Sequence, residues 1–455
     1  MHPGATLRDR TLHAESRASV RNWFRARREI LGTGDVTVIP KSARGAVFQV
    51  VIFLAAFLVI FSRRPDAILN AQFFAEDGKL WYADAYRFGL RSLLFPADGY
   101  LHTVARLAAL VTLIFPFSIA PLVMNLCAIT FQALPVNVFL SSRFSTITLS
   151  TRLLAGFLYL ALPNTDEINA NAATLQWHLA LLACLLLLAE PTRDRKWRFF
   201  DAVVLVLISL EGPMGILFVP LAAVLWWMRQ DSWGRISLAL LAPGAVVQAV
   251  TVLLSHTRQS APNGASISRL TSILGRQVFL SSLLGKETVL HIVLAHYRHS
   301  SFFEMIATTV GLAFLLYALR CAPTELKLFI LFAFSVFALS LVHPLADTPD
   351  HLQWESLRIP GCGTRYYFLP MIAFLSALLW TISSAKTSLS VRWFAGVLLL
   401  LLPIGILRDW QYPGFADLHF REYASKFEGA PSGTRIVIPL NPIDPAYWSM
   451  ELTKH

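Results

Sequence analysis

The chain has little charge. Only 15% of its 455 residues are charged, whereas 55% are hydrophobic, and the mean hydropathy is +0.55. A soluble domain carries roughly 25% charged residues, so this chain lacks the polar surface that would cover it in water. Its apolar runs are long and continuous, unlike the short alternating strands of a membrane barrel. The composition therefore predicts an all-α polytopic membrane protein.

Cysteine is also scarce, with four residues in the whole chain. Cys127 and Cys184 lie inside apolar runs, Cys321 adjoins a basic loop, and only Cys362 is expected to face outward, which predicts no disulfide. No CxxC or Cys/His cluster indicates zinc or an iron–sulfur centre. Walker A, GxGxxG, GxSxG and HExxH motifs are missing from suitable contexts, which argues against an ATP-driven pump, a dinucleotide enzyme or a zinc protease.

Apolar segments that approach the roughly 20 residues needed to cross the hydrocarbon core are abundant. We predict about eleven transmembrane helices, at 45–62, 119–140, 147–163, 175–190, 197–211, 213–228, 235–255, 302–319, 326–343, 364–382 and 391–407. Clusters of basic residues sit in the short loops on one side of these segments. Five of these loops hold 12 Lys/Arg against three Asp/Glu: 141–152, 191–198, 229–235, 320–327 and 383–392.

This charge pattern predicts the orientation. Basic loops stay on the cytoplasmic side, so the N-terminus is expected inside and the C-terminus outside. The same pattern accounts for the net charge of +11 without nucleic-acid binding. The apolar segment Leu101–Phe117 would reverse every later loop if it crossed the membrane. We therefore predict that it lies along the outer surface or dips into it.

The chain divides into three parts on this basis. Residues 1–44 form a basic cytoplasmic segment, 45–407 the transmembrane domain, and 408–455 a small polar outer tail. The first apolar run lacks a convincing cleavage site and is predicted to be an uncleaved span. Within the tail, Arg435–Leu440 is predicted to be a strand. The tail is too small to be secure by itself and is expected to dock on the outer loops.

Candidate functional residues gather in the predicted outer loops. Ionisable groups beside a membrane are costly, so each is a candidate by default. The adjacent acids Glu76 and Asp77 follow the first span, and they fit a general base, a metal ligand or a clamp on a charged head group. They would also fit a simple helix cap before Lys79. Further candidates are Asp166, Glu167, His178, Glu211, Arg358, Arg365 and Tyr366.

Several of these candidates have a plain structural alternative. His178 near a membrane surface is more often a hydrogen-bonded structural residue than a ligand. Glu211 precedes Gly-Pro and would serve equally to satisfy backbone groups freed by the break. Arg365 would serve as an interface anchor, although a guanidinium fork suits a phosphate.

The order of these features resembles the GT-C superfamily of membrane glycosyltransferases, which use polyprenyl-phosphate sugars. Glu76-Asp77 looks like the acidic pair of their first outer loop. Gly99-Tyr100 followed by Arg106 looks like the surface helix that closes this loop. Asp166-Glu167 matches a second acidic loop, and Gly363-Thr-Arg-Tyr366 resembles a late Arg-Tyr motif. The resemblance covers most of residues 45–410, and its members from bacterial envelopes are the most similar.

The resemblance implies an inner-membrane enzyme that moves a sugar from a polyprenyl-phosphate carrier to a glycan, lipid or protein acceptor on the outer face. Asp77 would be the general base and Glu76 its partner. Arg365 and Arg106 would neutralise the leaving phosphate, with Tyr100, Asp166, Glu167, His178, Glu211, Arg358 and Tyr366 as further binding residues. A Mg²⁺ or Mn²⁺ ion on Glu76, Asp77 and Asp166 is one version, and a metal-free mechanism is the other.

Two other functions stay open. A transporter or flippase for a lipid-linked glycan or small molecule would need polar residues at mid-membrane depth, and the sequence shows few. An envelope polysaccharide polymerase or ligase of unrelated fold would use the arginines of the outer loops together with His178.

Overall fold

A computed structural model describes residues 43–255, 261–295, 300–346, 348, 350–443 and 448–455. Nearly all of the predicted cytoplasmic segment 1–44 lies outside the described residues. Within them the chain is helical almost throughout, as the composition predicts. The α-helices of ten or more residues are α1 Ala43–Arg63, α2 Thr103–Thr112, α3 Ala120–Leu140, α4 Leu149–Leu160, α5 Leu175–Leu188, α6 Arg195–Ser209, α7 Met214–Arg229, α8 Ser232–Leu254, α9 Lys286–Ala295, α10 Ser300–Cys321, α11 Thr324–Val342, α12 Thr364–Ser383 and α13 Leu389–Leu399.

Shorter helical segments connect them. They are Asp66–Leu69, Asp77–Tyr82, Ala83–Phe88, Gly89–Leu94, Phe117–Ile119, Ser142–Phe144, Asp166–Ile168, Ile267–Ile273, Leu274–Leu280, Ser281–Leu284, Gln353–Ser356, Leu402–Arg408 and Phe420–Glu428.

Seven helical stretches in the described chain are long and apolar enough to cross a membrane, which makes this an all-α membrane protein. They are Gly45–Arg63, Phe117–Leu140, Ser232–Leu254, Ser301–Cys321, Thr324–Val342, Thr364–Ser383 and Leu389–Arg408. The other four predicted spans are helical too, as α4 to α7, but have only 12 to 16 residues. At 1.5 Å per residue they extend about 18–24 Å, less than a 30 Å hydrocarbon core.

The helix surfaces explain the hydropathy of the chain. Large apolar side chains point outward along the long helices; Leu253 is 80% exposed and Leu316 is 64% exposed. No water-soluble protein gains from such a surface, whereas lipid tails solvate it at no cost. The centre of the bundle is α12, which packs against α11, α10 and α4 and buries most of its length.

The two ends of the bundle differ in character. One end, here called the basic end, has short turns whose arginines bond to neighbouring helices. Arg143 pairs with Asp201 at 2.8 Å, and Arg229 donates to the carbonyl of Leu187 at 2.8 Å. The opposite end, here called the loop-rich end, contains the segments 63–118 and 164–174 and the tail. The acids, aromatics and candidate residues lie at the loop-rich end.

The segment after Leu101 forms the ten-residue helix α2, about 15 Å long, which is too short to cross a bilayer. Its inward face buries Val104, Ala105 and Ala108, while Val111 is 44% exposed. It is therefore a helix that packs across the loop-rich end, as its sequence context predicts.

Arg63 and Arg64 lie at the loop-rich end, against the expected charge distribution, because both are internal. Arg63 is 1% exposed and donates to the carbonyls of Leu160 at 2.6 Å and Asp409 at 3.1 Å. The guanidinium of Arg64 lies 4.5 Å from the ring centre of Phe415. These arginines fasten the first helix to α4 and the tail.

The tail forms a small two-stranded antiparallel sheet. Strands β1 (Arg435–Pro439) and β2 (Ser449–Thr453) pair with Arg435 opposite Thr453, which confirms the strand predicted at 435–440. The tail docks on the first loop, where the Leu418 N–H donates to Gln72 at 2.9 Å. Phe420 packs edge-on against Phe73 with ring centres 5.3 Å apart.

Candidate functional site

The acidic pair sits on a tight turn that the tail covers. Ala75 adopts a left-handed φ of 44°, and Asp77–Tyr82 then forms a single π-helical turn, a feature frequent at functional sites. Gly78 is needed there, because a Cβ would lie 2.9 Å from Leu440 of the tail. The turn fixes the direction in which both carboxylates point.

Asp77 is the more buried acid, with 1% of its surface exposed. One carboxylate oxygen accepts the backbone N–H of Ala172 at 3.3 Å. The other oxygen is buried and has no hydrogen-bond partner in the described chain. Burial, and then the neighbouring charge of Glu76, raise the pKa of Asp77 well above its usual value. Such a carboxyl holds a proton more readily than an exposed aspartate does.

Glu76 is half-buried and, among the residues described, has no ion-pair partner. Its burial raises its pKa, and nearby Asp98 adds to that effect, whereas Arg365 and His102 oppose it. Glu76 therefore lies in the electrostatic field of Arg365. The structure brings the first acidic pair and the late Arg-Tyr motif to one place.

The segment 164–174 carries the second acidic pair and folds into the bundle. Gln132, past the middle of α3, donates to Asn169 at 2.6 Å and accepts the N–H of Ala170 at 3.1 Å. The His178 ring bonds to the Ile168 carbonyl through Nε2 at 2.8 Å and to the Tyr159 hydroxyl through Nδ1 at 2.9 Å. Both ring nitrogens are used, so His178 braces this segment.

Glu167 fastens the same segment to α12. Its carboxylate accepts the N–H of Arg365 at 3.2 Å and the hydroxyl of Thr364 at 3.3 Å, and it also pairs with the Arg365 guanidinium. That guanidinium also donates to the Leu345 carbonyl and to the Tyr366 hydroxyl, the latter at 3.0 Å. About a quarter of the Arg365 side chain stays exposed.

The glycines before Arg365 serve packing. Glycines at 361 and 363 could let the backbone approach a ligand. Gly363 does adopt a positive φ of 64°, but a Cβ there would lie 2.7 Å from the Leu357 side chain. The space beside Gly363 is thus filled by the protein itself.

Asp166 pairs with a lysine that was not among the candidates predicted from the sequence. Its carboxylate pairs with Lys286 Nζ at 2.7 Å. The backbone N–H of Lys286 donates to Asp409 at 2.8 Å, and Asp409 also accepts the N–H of Asn164 at 2.9 Å. Lys286 is the only lysine between 256 and 301, which was the available sequence signal.

The residues expected to close the first loop have structural partners. Arg106 is 1% exposed, pairs with Asp84 at 2.9 Å, and lies 4.8 Å from the ring centre of Trp81. Glu211 accepts the N–H of Val104 at 2.7 Å and caps α2. Both groups hold the surface helix in place.

Three candidates remain: Tyr100, Arg358 and Tyr366. Tyr100 is half-buried, and its backbone bonds to Ala97 in the turn before α2. Arg358 pairs with the half-exposed Glu355. Tyr366 is 9% exposed, and its ring lies under the Arg365 guanidinium at 4.6 Å.

The proposed metal ligands do not converge. In the part of the chain that the structure describes, no three His, Cys, Asp or Glu side chains are grouped to hold an ion. The Asp166 carboxylate forms an ion pair with Lys286, whereas the Asp77 carboxylate accepts the backbone N–H of Ala172. The residues present therefore do not fit a site built from Glu76, Asp77 and Asp166.

No protein-family model matches the chain, and no curated protein is detectably similar to it. Function is therefore inferred from the candidate site. It consists of the buried Asp77, the half-buried Glu76, and the Glu167–Arg365 pair with Tyr366, all at the loop-rich end.

Proposed function

We propose that this protein is an integral-membrane glycosyltransferase, similar to the GT-C superfamily, that uses a polyprenyl-phosphate sugar at the outer face of the bacterial inner membrane. One observation carries the proposal: a buried carboxylate with an unbonded oxygen, Asp77, lies beside Glu76, which is in the electrostatic field of the partly exposed Arg365. A base and a cation are the two groups that this transfer requires.

The chemistry is a single displacement. The acceptor hydroxyl attacks the anomeric carbon of the sugar, and Asp77 takes its proton as the new C–O bond forms. General-base help of this kind contributes roughly 10²–10⁴-fold. The bond between the anomeric carbon and the phosphate oxygen breaks, and its electron pair stays on the phosphate. The product therefore has the inverted anomeric configuration.

Arg365 would meet the charge on the departing phosphate. Its fork is planar and always charged, which suits a phosphate better than an ammonium does. Glu167 pairs with the Arg365 guanidinium and holds it in one orientation at the N-terminal end of α12. The negative charge of Glu76 offsets the positive charge of Arg365 and helps to raise the pKa of Asp77.

The surroundings suit a lipid-linked donor. The site adjoins the apolar helices of the bundle, whose outward faces contact lipid tails and would accept an isoprenoid chain. The basic end lies opposite, and the positive-inside rule then assigns the site to the outer face. The donor's sugar and the acceptor are left unassigned.

The test is transfer in proteoliposomes. The purified full chain is supplied with polyprenyl-phosphate carrying a radiolabelled hexose, together with an envelope extract as the source of acceptor. We expect label to leave the carrier and free polyprenyl phosphate to appear, with Asp77→Asn reducing both. A wild-type protein that leaves the carrier–sugar bond intact would contradict the proposal.

The same assay separates the enzyme from a flippase. A flippase changes the side of the membrane on which the labelled carrier is found and releases no polyprenyl phosphate. Polar side chains inside the bundle, such as Gln132 and Gln248, are already hydrogen-bonded to the loops at the loop-rich end. The geometry thus favours transfer over transport.

A further inference from the structure

A cavity of about 320 Å³ opens between α1, α3 and α6 at the basic end, opposite the candidate site. Its walls are mostly apolar and include Phe53 and Trp197. The neighbouring helix surfaces are also apolar and exposed, with Leu54 at 53% and Phe199 at 72%. The cavity is therefore a groove continuous with the lipid-facing surface of the protein.

Two amides lie within this apolar groove. Asn137 donates through Nδ2 to the Gln49 carbonyl at 2.8 Å and to the Gln49 side-chain oxygen at 3.0 Å. Asn137 is 8% exposed, and its Oδ1 has no hydrogen-bond partner in the described chain. A buried amide oxygen without a partner is costly, which points to a ligand that donates to it.

A cation lies at the mouth of the groove. Lys196 lines the cavity, is exposed, and has no carboxylate partner among the described residues. Asp194 caps the start of α6. Its carboxylate accepts the backbone N–H of Lys196 at 2.7 Å, so it serves as a helix cap and not as the ion-pair partner of the Lys196 ammonium. Further basic residues lie close by in the chain, at Arg193, Arg195 and Arg198.

The polar groups of the groove all lie near helix ends. Lys196 is in the first turn of α6, Asn137 lies one turn before the end of α3, and Gln49 lies less than two turns into α1. An apolar groove with polar groups near one end suits the acyl chain and the head group of a phospholipid.

We propose that this groove binds one anionic glycerophospholipid from the leaflet at the basic end. The phosphate bonds to Lys196, a head-group hydroxyl donates to Asn137 Oδ1, and Gln49 faces an ester carbonyl. One acyl chain fills the apolar part of the groove. Basic pockets between membrane helices on the cytoplasmic side bind such head groups in general.

The test is lipid retention by the purified full chain, measured by native mass spectrometry with added phosphatidylglycerol. We expect one lipid per protein, and we expect Lys196→Gln to weaken its binding about tenfold, the effect of one charge-assisted hydrogen bond. Arg193→Gln is the matched control, because it removes the same charge three residues before Lys196 at a residue that does not line the cavity. Binding by Arg193→Gln should stay within about twofold of wild type.

Gln49→Leu is the second variant and keeps the groove filled and the surface charge unchanged. It should also weaken phosphatidylglycerol binding, while circular dichroism and thermal unfolding report that the protein is folded. Equal losses in Lys196→Gln and Arg193→Gln would show only general attraction to a basic turn and would overturn the proposal. Displacement of the phospholipid by an equal amount of polyprenyl phosphate would do the same, since the groove would then belong to the carrier lipid.

Discussion

Glu167 caps the first turn of α12 and pairs with the guanidinium of Arg365 on that same turn. One carboxylate therefore holds both the backbone and the side chain of the proposed phosphate-binding residue. The pair also links the segment after α4 to α12, two parts of the chain that are far apart in sequence. In the proposed function, Glu167 therefore determines how freely the Arg365 guanidinium can turn toward a phosphate.

Arg365→Ala should reduce use of the polyprenyl-phosphate donor about ten- to a hundred-fold, because a charge-assisted bond is worth roughly 1.5–3 kcal/mol. Arg365→Lys should restore part of the donor use, since the positive charge returns without the planar guanidinium group. Glu167→Gln should lower the donor KM instead, because it releases the guanidinium while an amide oxygen still accepts the Arg365 N–H. Steady-state kinetics with varied donor measure this, and Arg421→Ala in the exposed tail helix is the control. Normal donor use by Arg365→Ala would make Arg365 an interface anchor.

Asp77→Asn should preserve folding and membrane insertion but cut the transfer rate by at least about 10²-fold, the low end for a lost general base. Glu76→Gln should reduce it less, because Glu76 tunes charge without taking the proton. Release of polyprenyl phosphate from labelled donor measures both. Glu422→Gln removes an exposed carboxylate at the same end and should leave the rate unchanged. If both site variants transfer sugar at the wild-type rate, the chemistry lies elsewhere in the protein.

The pH dependence of transfer and of stability should run in opposite directions. Folding raises the pKa of Asp77, so its contribution to stability is fully present below about 3.9, the ordinary aspartate pKa, and is lost as pH rises through the raised value. The ionised form is the base, so transfer should increase over that same window. Rate profiles and thermal unfolding in detergent measure the two.

Asp77→Asn should flatten part of the stability profile. Glu76 and Asp409 also have raised pKa values, mainly from burial, so some slope should remain in this variant. Superimposable stability profiles of wild type and Asp77→Asn would show that Asp77 does not titrate in this way.

Membrane orientation can be tested with the thiols of the chain itself. Cys321 is exposed at the basic end, so it should react with an impermeant maleimide only after the membrane is opened. A single cysteine introduced at the exposed Glu422 in the tail, in a background lacking the native cysteines, should react in intact spheroplasts. Labelling of Cys321 in intact spheroplasts together with protection of position 422 would reverse the orientation.

Arg63→Met should destabilise the protein strongly, by about 1.5–3 kcal/mol or more, because several buried carbonyls lose a charged donor at once. Arg63→Lys should be intermediate, since an ammonium reaches fewer of them. Thermal unfolding of the purified protein in detergent measures the loss. Arg91→Met, at an exposed position on the same end, should change the midpoint little. Equal midpoints for Arg63→Met and wild type would remove Arg63 from the framework.

The helices and their order could be predicted from the sequence because long apolar runs need no partner to be recognised. The lengths of α4 to α7 could not, because a run that continues into a buried loop has the same hydropathy as one in a helix. Asp77 was found through its adjacency to Glu76. The Asp166–Lys286 pair was not, because periodicity does not tell which distant loops meet. Arg106 is a candidate phosphate ligand through the resemblance, and its ion pair with Asp84 could not be predicted without the fold.

The hydrogen bond from the Arg63 guanidinium to the Asp409 carbonyl has a consequence for the synthesis of the protein. The first helix, the π-helical turn and Asp77 are synthesised long before the tail that bonds to them. Their surroundings become complete only when residues 408–455 have emerged and folded, with Leu440 seated on Gly78. A chain interrupted before that point would leave Phe73 and the acidic turn uncovered. The acidic turn therefore reaches its native surroundings only at the end of synthesis.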